Sequence, residues 1–107
     1  MTSEDYMRRA LVLARRALST GDVPVGCVVA DADGAIIGEG WNLREHLQSP
    51  TAHAEILAIE QAAKRLGSWR LTGCTLYVTL EPCPMCAGAV MNSRLKRLVY
   101  GAFDDKN

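Results

Sequence analysis

No stretch of this 107-residue chain approaches the ~18 consecutive apolar residues that a membrane helix requires. The opening MTSEDYMRRA runs acidic then basic, without the pattern of a secretory signal. A soluble cytoplasmic protein with no membrane partner is therefore the expectation. Net charge is lacking too: twelve basic and twelve acidic residues cancel. No global positive field advertises a nucleic-acid partner, although a local cluster can still serve one. There is no internal repeat and no low-complexity segment. Four cysteines in such a chain point to metal ligands or buried thiols rather than to a disulfide framework. What is present is an ordinary globular balance, 49% hydrophobic and 22% charged, enough for one core and one domain over residues 1–107.

Residues 3–20 have the spacing of an amphipathic helix. Met7, Ala10, Leu11, Ala14, Ala17 and Leu18 form its apolar side, and Arg8, Arg9, Arg15 and Arg16 its wet face. Ser3 is the expected N-cap and Gly21 the expected stop. Two strand-like runs, 23–30 and 35–42, are joined by Asp31-Ala32-Asp33-Gly34, a hairpin signal with Gly34 free to take positive φ. Gly38 and Gly40 inside the second run predict a bulge or a close backbone approach. A polar loop, LREHLQSP, leads to a second helix over 52–66, capped by Thr51, with Ile56, Ile59, Ala63 and Leu66 as its buried stripe. Residues 74–80 read as a strand, EPCPMCAGAVMNS as a turn into a third helix, and LKRLVYGAF as a further strand. Strand, helix, strand implies a parallel pair. Ala87, Gly88 and Ala89 suggest that the third helix packs closely on a neighbour. Trp41 reads as core, Trp69 as a helix-exit anchor, His46 as an exposed loop residue, and Cys27 and Cys74 as buried free thiols. The sum is an α/β fold, a mixed sheet with helices on its faces, and its site belongs where strands end and helices begin.

Two segments fall at such points. Thr51-Ala52-His53-Ala54-Glu55 opens the second helix, and Glu81-Pro82-Cys83-Pro84-Met85-Cys86 opens the third. Cysteines three apart at a helix start turn their sulfurs the same way and can share one ion. The free N–H groups there favour the thiolate, and Pro84 suits an early helical position. Two thiolates with one imidazole make a catalytic set for zinc, with the fourth position left for water. Glu55, two residues after His53, reaches the same place without being a ligand, as a proton carrier must. A redox Cys-x-x-Cys pair is the plainer alternative, but it leaves His53 and Glu55 without a role. His-x-Glu followed by Pro-Cys-x-x-Cys is the signature of zinc nucleobase deaminases.

Over DVPVGCVV, GEGWNLRE, TAHAEILAI and LYVTLEPCPMCAGAVMNSRLKRLVYGAFDDK the chain closely resembles bacterial tRNA-specific adenosine deaminases of the cytidine/deoxycytidylate deaminase superfamily. The resemblance implies a three-layer α/β/α mixed sheet, shortened at its C-terminus because family members run on past Asn107. It implies a homodimer with one zinc ion per subunit, acting on the wobble adenosine of a tRNA anticodon loop. Residue by residue it makes His53, Cys83 and Cys86 the zinc ligands and Glu55 the general acid/base. It makes Asn42 a contact to the target nucleoside, Val23, Pro24, Ala54 and Pro82 the walls around the flipped base, and Asp104 a contact to the RNA backbone. The alternatives are a free-base or nucleoside deaminase for guanine or cytosine, which shares the zinc signature, and a non-catalytic zinc-binding fragment. Arg94, Lys96 and Arg97 could meet phosphates, or could simply be a solvated helix end.

Overall fold

The structure, a computed structural model, describes residues 1–101. The elements are α1 (Ser3–Ala17), closed by a 3-10 turn (Leu18–Thr20), β1 (Gly26–Ala30), β2 (Ile36–Trp41), α2 (Arg44–Leu47), α3 (Ala54–Leu66), β3 (Thr75–Val78), α4 (Pro84–Asn92) and β4 (Arg97–Tyr100). The strands form one mixed sheet in the order β2-β1-β3-β4. β1 is antiparallel to both neighbours, and β3 and β4 are the expected parallel pair. Alternation along β1 divides the core in two. Cys27 and Val29 point to the face covered by α3, while Val28 and Ala30 point to the face covered by α1. The chain is thus an α/β/α sandwich, as the resemblance implies.

On the α1 side, Tyr6 and Leu13 are buried, and Tyr6 stacks on Tyr77 with centroids 4.6 Å apart. The expected stripe was set slightly off, because Leu11 and Leu18 stand exposed while Tyr6 and Leu13 go inside. The N-cap is Thr2 rather than Ser3, with Asp5 completing a capping box. Two arginines of the supposed wet face are engaged. Arg9 grips Glu39 through two hydrogen bonds, of 2.6 and 3.0 Å, and Arg16 lies 5.1 Å over the half-buried Trp41 ring. Being partly exposed, the Arg9–Glu39 pair contributes about 0.5–1 kcal/mol.

The larger departure is on the α3 side. The helix begins at Ala54, two residues later than expected. Its fully buried line is Ala54, Ala58 and Ala62; of the expected stripe, Ile59 and Ala63 pack partly buried against the core, Ile56 is half-buried and Leu66 is exposed. The reason lies in β2. A Cβ on Gly38 would meet the Ala58 carbonyl oxygen, and one on Gly40 the Ala54 carbonyl oxygen. The helix therefore rides on two glycines through its smallest side chains, and the longer apolar residues flank the contact. This is the close approach that the glycines predict, and the pairing also shifts between Val29 and Ala30, leaving Ile37 as an extra residue. Gly34 takes φ +89°, as the hairpin requires.

Two smaller expectations need correction. The polar loop contains the one-turn helix α2. Gly88 has open space where a Cβ would stand, so nothing among the described residues packs closely on α4 at that position, while Ala87 and Ala89 are half-buried. Cys27 and Cys74 are buried free thiols, and His46 is exposed, as read from the sequence.

Gly40→Ala should cost about 1–3 kcal/mol, because it overpacks against backbone that cannot yield. In a domain of this size that lowers the melting temperature by roughly 4–8 °C per kcal/mol. Ala at Gly88, with nothing to meet, should raise or leave unchanged the melting temperature; thermal denaturation of both variants checks the contrast.

Candidate metal centre

His53 is the N-cap residue of α3 and Cys83 that of α4, and neither side chain caps its own helix. For α3 the first backbone donor is satisfied from elsewhere: Ala54 N–H donates to Asn42 Oδ1 at 2.8 Å, from the segment after β2. Thr51, the expected cap, takes no part. His53 is free to turn toward α4, whose Pro84 occupies the first helical position where no N–H is missed. Cys86, three residues after Cys83, is buried on the same side.

These placements bring His53 Nδ1 to 3.7 Å from Cys83 Sγ and 3.5 Å from Cys86 Sγ. The three donor atoms lie within 4.8 Å of one another. A tetrahedral zinc with bonds of about 2.3 Å to sulfur and 2.0–2.1 Å to nitrogen separates N and S ligands by about 3.6 Å. The residues fit the ion.

The electrostatics suit it as well. Burial, then the positive charge of Arg44, pushes the His53 pKa down, which keeps the imidazole in its neutral ligand form. Burial, then the Glu55 charge, drives the Cys86 thiol far up. Burial also raises Glu55 above the usual carboxylate range, opposed by hydrogen bonds from its own N–H and from the Cys86 thiol. Left to itself the cluster favours neutral groups. A divalent cation reverses this, since a coordinating thiol loses its proton and a positive charge supports the nearby carboxylate.

Beside the donors lies a cavity of about 230 Å³, lined among others by Val23, Asn42, His53, Glu55 and Cys83. Sequence reasoning gave no site role to four further liners, Val25, Arg44, Leu80 and Glu81. Val25 and Leu80 carried no signal, being ordinary apolar residues; Arg44 was legible only as a loop charge, and Glu81 only as the residue that opens the Pro-Cys segment. Pro24, Ala54 and Pro82 are not among the liners, but each sits between two residues that are. Ala54 in particular is fully buried. Asp104 lies outside the described residues.

A second cavity of about 470 Å³ adjoins the first and shares Val23, Asn42 and Arg44 with it. One wall is fastened by Asp22, which is 6% exposed. Its carboxylate accepts from Glu45 N–H at 2.9 Å and the Thr20 hydroxyl at 2.7 Å, and also from His46 N–H. This buried carboxylate ties the loop carrying Val23 to the segment carrying Asn42 and Arg44.

Fold and donor set together define a zinc-binding α/β protein with three donor groups among the described residues. Residues 1–102 match the family described as the cytidine and deoxycytidylate deaminase zinc-binding region, and the chain belongs to that family. It is 56% identical over 103 residues to the tRNA-specific adenosine deaminase of Haemophilus influenzae, covering 96% of this chain and 60% of the relative. This chain therefore spans less than two thirds of that relative's length. Among solved structures it is similar to a tRNA:A34 deaminase studied for A-to-I editing at the wobble position (TM-score 0.93, 47% identity, covering 97% of this chain and 79% of the other). It is also similar to the guanine deaminase of Bacillus subtilis (TM-score 0.91, 44% identity, covering 96% and 66%).

Titration with cobalt(II) should produce thiolate-to-metal absorption that saturates at one ion per chain. Cys86→Ser should remove most of that band while leaving the far-ultraviolet spectrum unchanged; an unaltered band would mean the ion sits elsewhere. At Asp22, hydrogen bonds from the Glu45 N–H and its neighbours hold the pKa low. The unfolded chain then binds more protons than the folded one, so this stabilisation is present at neutral pH and is lost as pH falls through the carboxylate range. Asp22→Asn should therefore flatten the acid limb of urea-midpoint stability against pH. An acid limb as steep as that of the parent chain would refute the role.

Proposed function

We propose that the chain catalyses hydrolytic deamination of adenosine to inosine at the wobble position of a tRNA anticodon loop. The observation that carries the reading is Glu55: a carboxylate almost wholly buried at a cavity wall, beside a three-donor set to which it does not belong. A structural zinc site has no use for such a group. Zinc held by His53, Cys83 and Cys86 supplies Lewis acidity that brings the pKa of water toward neutrality. Glu55, its pKa already raised by burial, accepts a proton from the attacking water. It passes that proton to N1 of the adenine ring, then takes the second from the hydroxyl now on C6 and hands it to the amino group, which leaves as ammonia when the C–N bond breaks. Asn42, oriented by its bond to Ala54 N–H, meets the target nucleoside, and Val23, Pro24, Ala54 and Pro82 enclose the flipped base. Asp104 contacts the RNA backbone in this reading.

The second cavity supports a polynucleotide over a free base, since it offers room next to the reacting ring with the Arg44 cation at the shared rim. The Haemophilus relative and the tRNA:A34 deaminase structure support the same substrate. In this reading the protein works in the cytoplasm as a homodimer with one zinc per subunit, and residues 1–107 form one domain. Met85 and Met91, exposed on α4, support an apolar contact between copies. The similarity to guanine deaminase keeps a second reading in play, hydrolysis of a free base such as guanine or cytosine.

A synthetic anticodon stem-loop with adenosine at the wobble position should yield inosine. Glu55→Ala should lower the rate by on the order of 10²–10⁴-fold, the usual worth of positioned proton transfer, while zinc content stays the same. Turnover of guanine or cytosine with the RNA left intact would establish the second reading instead. Bound zinc with neither substrate consumed would sink both.

A further inference from the structure

Zero net charge conceals a strong segregation. Between Gln61 and Phe103 the chain carries Lys64, Arg65, Arg70, Arg94, Lys96 and Arg97, against the single acid Glu81, which lines the metal cavity. Among the described residues none of these six cations is in an ion pair. Lys64 and Arg65 have an ordinary use at the C-terminus of α3, where cations meet the helix dipole. Arg70 and Arg94 are different. Their guanidinium carbons lie 5.0 and 6.0 Å from the centroid of the same indole, that of Trp69, which is 58% exposed.

The fold builds this grouping from two loops. Leu71 N–H donates to Ser93 O at 2.7 Å and Lys96 N–H to Cys74 O at 2.9 Å, which laces the α3–β3 loop to the α4–β4 loop. Arg94 adopts φ +60°, a conformation in which a side chain is uncommon and glycine is free of strain. Its guanidinium also donates to Met91 O at 3.1 Å, closing α4. In the hairpin turn that adjoins the α3–β3 loop, the Asp31 carboxylate is committed elsewhere, accepting from Asp33 N–H and Ala35 N–H. Two like charges are thus held on one aromatic ring, exposed and, among the described residues, without a counter-ion.

We propose that Trp69, Arg70 and Arg94 form a second RNA-contact surface that grips backbone phosphates of the stem beyond the reacting loop. This rests on the reading of the substrate as RNA. α3 has its N-terminus at the metal site and its C-terminus next to this patch. Its thirteen residues span about 20 Å at 1.5 Å per residue. The nine residues of α4, which joins the same two places, span about 13 Å. The separation is therefore on the order of four to six nucleotide steps at ~3.4 Å per step, past the nucleotides that flank the target and toward the stem. Arg matches phosphate geometry, and Trp69 stiffens both side chains by stacking.

The test compares two RNAs of one sequence, a full stem-loop and a loop-only oligonucleotide too short to reach the patch. For the zinc-loaded protein, Arg70→Gln should raise KM for the stem-loop severalfold, leave kcat unchanged, and reduce the slope of log KM against log salt by roughly one. It should leave the loop-only substrate unaffected. Arg94→Gly, which relieves the positive φ, should show the same KM effect with a melting temperature close to the parent's, separating RNA contact from folding. Equal KM and salt slope for parent and Arg70→Gln on the stem-loop overturns the patch while leaving the deaminase reading intact. No inosine from either RNA with the parent chain overturns that reading, and the patch with it. Tighter binding to anionic lipid vesicles than to the stem-loop, lost in Arg70→Gln, overturns the RNA assignment in favour of a membrane surface.

Discussion

The site depends on how near α3 lies to the sheet. Gly38 and Gly40 of β2 leave room for the Ala54 and Ala58 carbonyl oxygens, and three alanines of the helix fill the contact. Any larger residue at these positions would lift the helix and carry His53 and Glu55 away from α4. The donor separations of 3.5 and 3.7 Å leave little tolerance for such a movement. A contact made almost wholly of backbone and methyl groups therefore sets the geometry of a polar centre.

The same closeness resolves a conflict of duties at the helix starts. A residue at an N-cap ordinarily turns its side chain back to satisfy the first N–H groups. His53 and Cys83 stand at N-caps but are required elsewhere, and neither caps. For α3 the task passes to Asn42, whose carbonyl oxygen accepts from Ala54 N–H across the seam between β2 and the helix. Asn42 is thereby fixed in orientation at the rim of both cavities. One hydrogen bond thus completes the helix, frees the histidine and fixes a polar group where the two cavities meet.

Much of this was legible in the sequence, and unevenly so. His53, Cys83 and Cys86 were readable because coordination demands particular atoms at particular spacings. The parallel β3–β4 pair and the hairpin followed from chain order and Asp-Gly turn chemistry. The buried face of α3 was read only in part: Ile59 and Ala63 do pack on the core, but apolar bulk normally marks the innermost side of a helix. Here the partner is a pair of glycines, so the smallest residues go inward and Leu66 faces water. The cap at Thr51 was misread for a related reason: local pattern rules cannot see a donor satisfied from a residue twelve positions away in sequence. Arg9 and Arg16 looked like solvated charge, and only the fold shows Glu39 and Trp41 beside them.

Charge shows most sharply how composition and structure part company. Twelve cations and twelve anions say nothing of where each sign sits, and here the signs are sorted along the chain. Near the metal centre the acids are few and assigned: Glu55 at the cavity wall, Asp22 clamping two loops, Glu81 at the mouth. Desolvation raises Glu55, whereas backbone N–H donors hold Asp22 low. Two carboxylates on neighbouring walls are thereby driven in opposite directions, one toward trading protons and one toward staying ionised. That division follows from burial and hydrogen-bond supply alone, and it separates the group suited to chemistry from the group that holds the walls in place.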